Sequence, residues 1–560
     1  MTANARSSLF QDTFTRRVLL RRMAVGGAAL SFPSILAACA SGDEAVEGSP
    51  SPGGETGTAA TSGADIEELT WMVNRLVHLD LARAADPGSK TAQAVATESL
   101  VTLDENLDIV GWLAESWEQV DGQTYVYRLR PGVTFWDGSP VTVEDVIYSF
   151  ERHNDPDLAS IEAGFTEMES IEETGENEIT VKLQRPLAMF RFTPTYAPIV
   201  KKAFAEELGE AFGAPGDNPL MGTGPYKPTR FSADDSVTYE RYDDYWGELP
   251  PFRNLTVQLI GDSQAAQLAM RAREIDGTFF VTVSEVEDWR AIDGVRVESA
   301  PGLIPGFFTW DLREEPWSDV HVRRAIAHAV DKEGLVNALL PGAGQPAESL
   351  VPRDQWAGLV VPAERVDEIY ASLTQYEFDL DAAREELAQS AFPDGFSATL
   401  KYGDAKQHLG RAALNLSENL SQIGIELEVE EVPMTEEIAD VTGHENIGMR
   451  ALSFTAGQLD PADYPEFMLP SQYARAGGFN VPHYENDRVD ELLDTQALST
   501  DPEERADMIA EVMQIIAEEL PYLPFWIEDI VMASREDYTY TNFHAFFFQM
   551  GVWPANVRPA

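Results

Sequence analysis

Two neighbouring runs carry the densest structural information in the chain: Asn106-Leu107-Asp108-Ile109-Val110-Gly111-Trp112-Leu113-Ala114-Glu115-Ser116-Trp117, and Tyr127-Arg128-Leu129-Arg130-Pro131-Gly132-Val133-Thr134-Phe135-Trp136-Asp137-Gly138 with Val143-Glu144-Asp145-Val146 close behind. From Tyr125 to Arg130 large apolar residues alternate with others at a period of two, the signature of a half-buried strand. Pro131-Gly132 and Asp137-Gly138 mark turns around Val133 to Trp136, so a hairpin-like unit is expected there. Thr142 then places an N-cap hydroxyl three residues before Asp145, and Val146, Ile147 and Phe150 follow at helical spacing. Working outward, Val322, Ile326, Ala329 and Val330 recur at steps of three and four behind the caps Ser318 and Asp319. Met508, Val512, Ile515 and Ile516 repeat that pattern before Pro521. Strands and helices interspersed in this way predict an α/β body without a fixed-period repeat.

Composition bounds the rest. The chain has 560 residues, of which 44% are hydrophobic and 10% aromatic, enough for a large body divided into several lobes. Its 94 acidic and 40 basic residues give a formal charge of -54, which repels phosphate backbones and excludes nucleic acid as a partner. Only eight of the cations are Lys. Such a surface suits a salty environment and equally a compositionally biased genome.

The first residues read as an export signal. Arg16-Arg17 and Arg21-Arg22 form a basic region, and Met23 to Ala38 is apolar apart from Ser31, Pro33 and Ser34, a run shorter than the about 20 residues that span a bilayer. The arginine pairs resemble a twin-arginine signal, with general secretory export as the alternative. Leu36-Ala37-Ala38-Cys39 is similar to a lipobox, in which cleavage before the cysteine leaves its sulfur to carry diacylglycerol. Cys39 is the single cysteine, so no internal disulfide or multi-cysteine metal site can form. Residues 39–64, rich in Gly, Ser, Thr, Pro and Ala and free of aromatics, are expected to be a flexible tether.

The quoted runs resemble the signature of the extracellular solute-binding proteins, family 5, the dipeptide-, oligopeptide- and nickel-binding components of ABC importers. The resemblance continues in the family's order through Gly222-Thr223-Gly224-Pro225-Tyr226, Val322-Arg323-Arg324-Ala325, Asp460-Pro461 and Pro521-Tyr522-Leu523-Pro524-Phe525, over about residues 69 to 535. It implies a periplasmic-binding-protein type II fold of two lobes joined by a hinge, with a third, extra lobe. By that similarity residues 65–98, 222–305 and 525–560 form the first lobe, 99–221 the extra lobe and 306–524 the lobe that closes on the ligand. The implied mechanism is capture. A small solute is enclosed between lobes, and the closed shape is presented to a membrane permease and its ATPase, with no bond broken and no cofactor needed. A monomer anchored at the outer face of the cell membrane is expected.

Each candidate site residue also has a plainer reading. Gly222-Thr223-Gly224-Pro225-Tyr226-Lys227 lacks the third glycine of a dinucleotide loop, and Pro225 removes an amide donor, so a hinge or crossover turn fits better than phosphate binding. Histidines 78, 153, 321, 328, 408, 444, 483 and 544 form no His-Glu-x-x-His pair and predict no metal site, although imidazole suits nickel complexes. No Gly-x-Ser-x-Gly elbow or Walker sequence supports a hydrolase or an ATPase, and no catalytic residue is assigned. In the peptide-binding members an aspartate shortly before Asp-Pro pairs with the peptide's α-amino group. Aligned on Asp460-Pro461, that position is Gly457. Asp460 takes over if the loop shifts, or caps a turn. The change leaves room for blocked peptides, opines or glycans. Trp71, Tyr226, Phe308, Trp310, Phe454 and Tyr464 are the aromatic candidates, of which about two are expected to face ligand and the rest core. An anchored extracellular hydrolase and a surface sensor or chaperone on the same fold are the competing classes.

Overall fold

The computed structural model describes residues 66–560 apart from 84–85, 105, 156–157, 159–162, 360, 456 and 547–552. The export segment 1–38, Cys39 and the tether to residue 64 lie outside the described residues. Among those described, no helix is long and apolar enough to cross a membrane.

A twelve-stranded mixed sheet organises the chain. In its first half, the opening strand Ile66–Val73 runs parallel to Phe252–Leu259, pairing Leu69 with Leu255 and Trp71 with Val257. Antiparallel strands Ser236–Arg241 and Tyr226–Ser232 extend it. Trp71, Tyr226, Val237, Tyr239, Leu255, Val257 and Trp553 form the core beneath. In the second half, Phe396–Gly403 and Ile425–Val432 lie parallel around the helix Gln407–Ser421, a βαβ unit that buries Leu409, Ala413, Leu416 and Leu420.

Two long antiparallel strands carry the sheet from one half to the other. Val295–Trp310 pairs with Tyr522–Arg535 along nearly its whole length. Gly306 to Trp310 also pair with Met449–Ser453 in the second half, while Ser534 reaches Gly277 in the first. Their register shifts between Ala300 and Ile304. A Cβ on Gly302 would stand 1.9 Å from the Glu528 carbonyl oxygen, so only glycine lets the backbones approach at this break.

A separate four-stranded antiparallel sheet runs in the order Ala114–Gln119, Thr124–Leu129, Glu178–Leu183, Met168–Gly175, with its own core including Tyr127, Phe150, Ile179 and Val181. The expected helix spans Val143–His153, and its Thr142–Asp145 capping box is complete. The expected hairpin is corrected. Residues 133–141 fold back as a loop closed by the antiparallel Thr134–Pro140 bridge, whereas Thr124–Leu129 makes its hairpin with the preceding strand Ala114–Gln119 and pairs on its other edge with the distant Glu178–Leu183. Returning to the main sheet, the chain docks Gly224 N on the Ala96 carbonyl at 3.1 Å, and a Cβ on Gly222 would stand 2.0 Å from that same oxygen. The Gly222–Tyr226 segment is thus a close-packed crossover turn. Asp319 caps the helix Val320–His328, and Asp501 caps Pro502–Glu519.

Candidate functional site

Strand Met449–Ser453 delivers Phe454 to a place where several parts of the chain converge. A single apolar cluster takes Leu103 and Phe192 from the segment around the four-stranded sheet, Leu303 from the break in the long strands, Phe307 and Tyr464 from the second half, and Phe546 from near the C-terminus. Within it Phe454 meets Phe307 at 5.5 Å and Phe479 at 5.9 Å, and Phe467 meets Phe479 edge-on at 5.5 Å. These edge-to-face contacts suit the ring quadrupoles. Polar groups behind the rings fix them. Tyr464 donates to the carbonyls of Leu303 and Phe454. The hydroxyl of Tyr522 donates to the Met468 and Phe479 carbonyls, both at 3.1 Å. Asn480, fully buried, donates to Leu469, Pro470 and Tyr484 oxygens and accepts from Tyr484 N. Phe479 is thereby held at the rim, 43% exposed, an aromatic wall with one open edge.

Beside the wall lies the loop that carries Gly457. Its surface is exposed and uncharged, and both its backbone groups are engaged. The carbonyl accepts from Tyr196, a residue of the short turn Thr193–Tyr196, and the amide donates to Asp463 Oδ2 at 2.9 Å. Lys90 of the helix Pro87–Ala94 stands over the Tyr196 ring at 4.7 Å. A chain of contacts therefore joins the first half of the sheet, the segment of the four-stranded unit and the second half. A Cβ at position 457 would find its nearest neighbour, Asp463 Oδ1, at 3.7 Å, ordinary contact, so space does not require glycine there.

The acids behind this loop are committed inward. Asp460 is fully buried and accepts from Arg505 Nη1 and Nη2 at 2.9 Å each, a bidentate pair, and from Ala462 N. Asp463 is 7% exposed. Burial pushes its carboxyl up to about 8, against the pull of the Gly457 and Gln458 amides. Burial likewise lifts Glu466 to about 7. None of the three presents a free carboxylate toward the wall.

The structure thus divides the aromatic candidates. Trp71 is sealed against Phe279 at 4.7 Å and Trp553 at 5.2 Å. Tyr226 donates to the Phe252 carbonyl at 2.9 Å, Phe308 packs on Phe525 at 4.5 Å, and Trp310 donates through Nε1 to the Leu520 carbonyl at 2.9 Å. Tyr464 is buried as a brace. Only half-buried Phe454 and exposed Gly457 meet at the junction. Asp460, read as a substitute anchor or a turn cap, is a buried counter-ion whose accepting capacity toward Ala462 N is cap-like. Phe467, Phe479, Tyr196 and Asp463 were not singled out. The i, i+3 spacing of Tyr464 and Phe467 is the only local signal that pointed to any of them. His321 pairs with Glu386 at 2.7 Å and His328 with the Glu377 carbonyl at 2.9 Å, away from this junction. Among the described residues no group of three His, Cys, Asp or Glu is arranged to hold a metal.

Residues 108–478 match the family model described as bacterial extracellular solute-binding proteins, family 5 Middle. Heme-binding protein A of Haemophilus influenzae is 25% identical over 441 residues, covering 74% of this chain and 78% of the relative. Glutathione-binding protein GsiB of Shigella dysenteriae is 25% identical over 472 residues, covering 81% and 88%. The periplasmic binding protein DppA of Helicobacter pylori, solved in complex with the peptide STSA, superposes with a TM-score of 0.68 at 22% identity, covering 88% of this chain and 98% of that one.

Proposed function

Since this chain belongs to family 5 of the bacterial extracellular solute-binding proteins, we propose that it captures a medium-sized, peptide-like solute against the Phe454–Phe467–Phe479 wall and delivers it to an ABC permease and its ATPase. One observation carries the reading: an aromatic wall with an open edge stands beside exposed Gly457, where three parts of the chain converge. Residues 65–98, 222–305 and 525–560 act as one lobe, 306–524 as the lobe that closes on it, and 99–221 as an added lobe. The register break at Ala300–Ile304 in the paired long strands serves as the hinge. The protein is exported and held at the membrane's outer face by diacylglycerol on Cys39, as a monomer.

Relatives bind heme, glutathione or, in the solved complex, a peptide, so the family name alone leaves the solute open. The loop chemistry narrows it. With glycine at 457 and the Asp460 and Asp463 carboxylates turned inward, a free ammonium group has no anionic partner here, whereas stacking on rings needs no charge. The solute is therefore a blocked peptide, an opine, a glycan or a similar molecule without a free primary α-ammonium group.

A thermal-shift screen tests this, because a ligand that binds only the folded state raises the melting temperature. N-acetylated peptides, opines and oligosaccharides should raise it, and peptides with free N-termini should not. Gly457→Asp, which the open space at Cβ accommodates, should create a response to free-amine peptides. A wild-type response to free-amine peptides that acetylation removes would sink the assignment of solute class. A flat response to every class by folded protein would sink capture itself.

A further inference from the structure

A second cavity lies away from the aromatic wall, between the four-stranded unit and the start of the long helix Pro502–Glu519. It is lined by Gln119, Ala188, Arg191, Leu359, Ser499, Thr500, Pro502 and Arg505. Gln119 ends the strand Ala114–Gln119, and Arg191 closes the short turn Ala188–Arg191, which the Ala188 amide ties to the Ala497 carbonyl at 3.0 Å. The polar side chains of this lining are two guanidinium groups, an amide and two hydroxyls, and no carboxylate is among them. In a chain of formal charge -54 that composition is out of character.

The two arginines differ in how they are served. Arg505 gives its N–H groups to Asp460 and to Gln496 Oε1. Arg191 comes no closer than 3.9 Å to Asp460, which Arg505 already engages bidentately. It lies across the Phe192 ring at 4.9 Å, and among the described residues its buried Nε and Nη2 have no hydrogen-bond partner. Burial works most strongly against its charge, the Asp460 carboxylate supports it, and the neighbouring Arg505 opposes it. A mostly buried guanidinium without a hydrogen-bonded anion is costly, and with Nε and Nη2 closed off it is the remaining accessible edge of the group that can donate to an oxyanion. The acids at the helix start are engaged elsewhere: Asp501 accepts from the Glu503 and Glu504 amides, and Glu504 accepts from Ser499 Oγ at 2.6 Å.

We propose that this cavity binds a small oxyanion of the phosphate or sulfate kind, with Arg191 as its cation and Gln119 and Thr500 as additional donors, and that the bound anion fastens the four-stranded unit to the helix Pro502–Glu519. This site goes beyond solute capture, and none of Phe454, Phe467 and Phe479 lines it.

The test is the melting temperature of the full chain in inorganic phosphate and in sodium chloride at matched ionic strength, so that screening of the acidic surface cancels. Phosphate should give an extra, saturable rise, and calorimetric titration should give one site per chain. Arg191→Met should weaken phosphate by about tenfold or more, the scale of a lost charged hydrogen bond, while a solute response at the aromatic wall stays at the wild-type level. If Arg191→Met does not fold, Gln119→Ala and Thr500→Val serve, each weakening phosphate severalfold. Acetate run in parallel separates the sources: a rise with acetate as well extends the site to carboxylates, and one confined to phosphate and sulfate fixes it as inorganic. Equal melting temperatures in phosphate and chloride, or a phosphate response unchanged by these substitutions, would overturn the proposal.

Discussion

The nest around Trp71 and the wall around Phe454 have much in common. Both are aromatic clusters in edge-on or tilted contact, with ring separations of 4.7 to 5.3 Å in the first and 5.5 to 6.4 Å in the second. They differ in closure. Trp71, Phe279 and Trp553 are 0%, 4% and 1% exposed, so their rings are closed in by the core around them. The wall ends in Phe479 at 43% exposed, with part of its ring left open. Composition and spacing do not separate the closed core from the proposed site; the open edge does.

That contrast can be broken at either end. Trp71→Ala should cost about 3–5 kcal/mol of folding free energy, the range for emptying a buried aromatic, and should leave solute affinity unchanged in the folded fraction. Urea unfolding reads the first effect and thermal shift with ligand the second. Phe479→Ala should do the reverse, changing stability by less than about 1 kcal/mol while lowering solute affinity about tenfold, because its exposed face stacks on ligand rather than on protein. If both substitutions acted mainly on stability, the wall would be core and the contrast would fail.

The smallest effect sharpens the comparison through pH. Asp463 is lifted to about 8 and Glu466 to about 7, both by burial, above the usual carboxyl values of 3.8 and 4.5. In that window the folded chain holds protons that the unfolded chain has released. Their contribution to stability is therefore present at pH 4 and is lost as pH rises through 7 to 8. Asp463→Asn, which cannot ionise, should flatten this loss in urea titrations across pH 4–9. An unchanged slope would show that the acids behind Gly457 do not couple to folding.

What the sequence revealed follows the range of the interaction. The helix at Val143–His153 was legible because Thr142 and Asp145 complete its cap within four residues, and the caps Asp319 and Asp501 are equally local. The strand Thr124–Leu129 was legible as a strand, but its pairing was not: the hairpin forms with Ala114–Gln119 before it rather than with Val133–Trp136 after it, and its second partner, Glu178–Leu183, lies far along the chain. At the junction, the order of motifs located Gly457 and Phe454. Tyr196, 261 residues away from Gly457, left no signal in the sequence, and neither did the tie between Asp460 and Arg505, 45 residues apart. Phe479 reaches the rim only because Asn480 is knotted beneath it, a role that an Asn in a loop does not announce.

The clasp at position 457 is made through main-chain atoms: the carbonyl takes the Tyr196 hydroxyl and the amide gives to Asp463. A fastening of this kind is indifferent to which side chain the residue bears. Because a Cβ meets only ordinary contact there, many residues can occupy the place without loosening the loop. On the proposed reading of this loop, holding and choosing are thereby uncoupled, so a single codon would retune what the protein accepts while the architecture that does the accepting stays as it is.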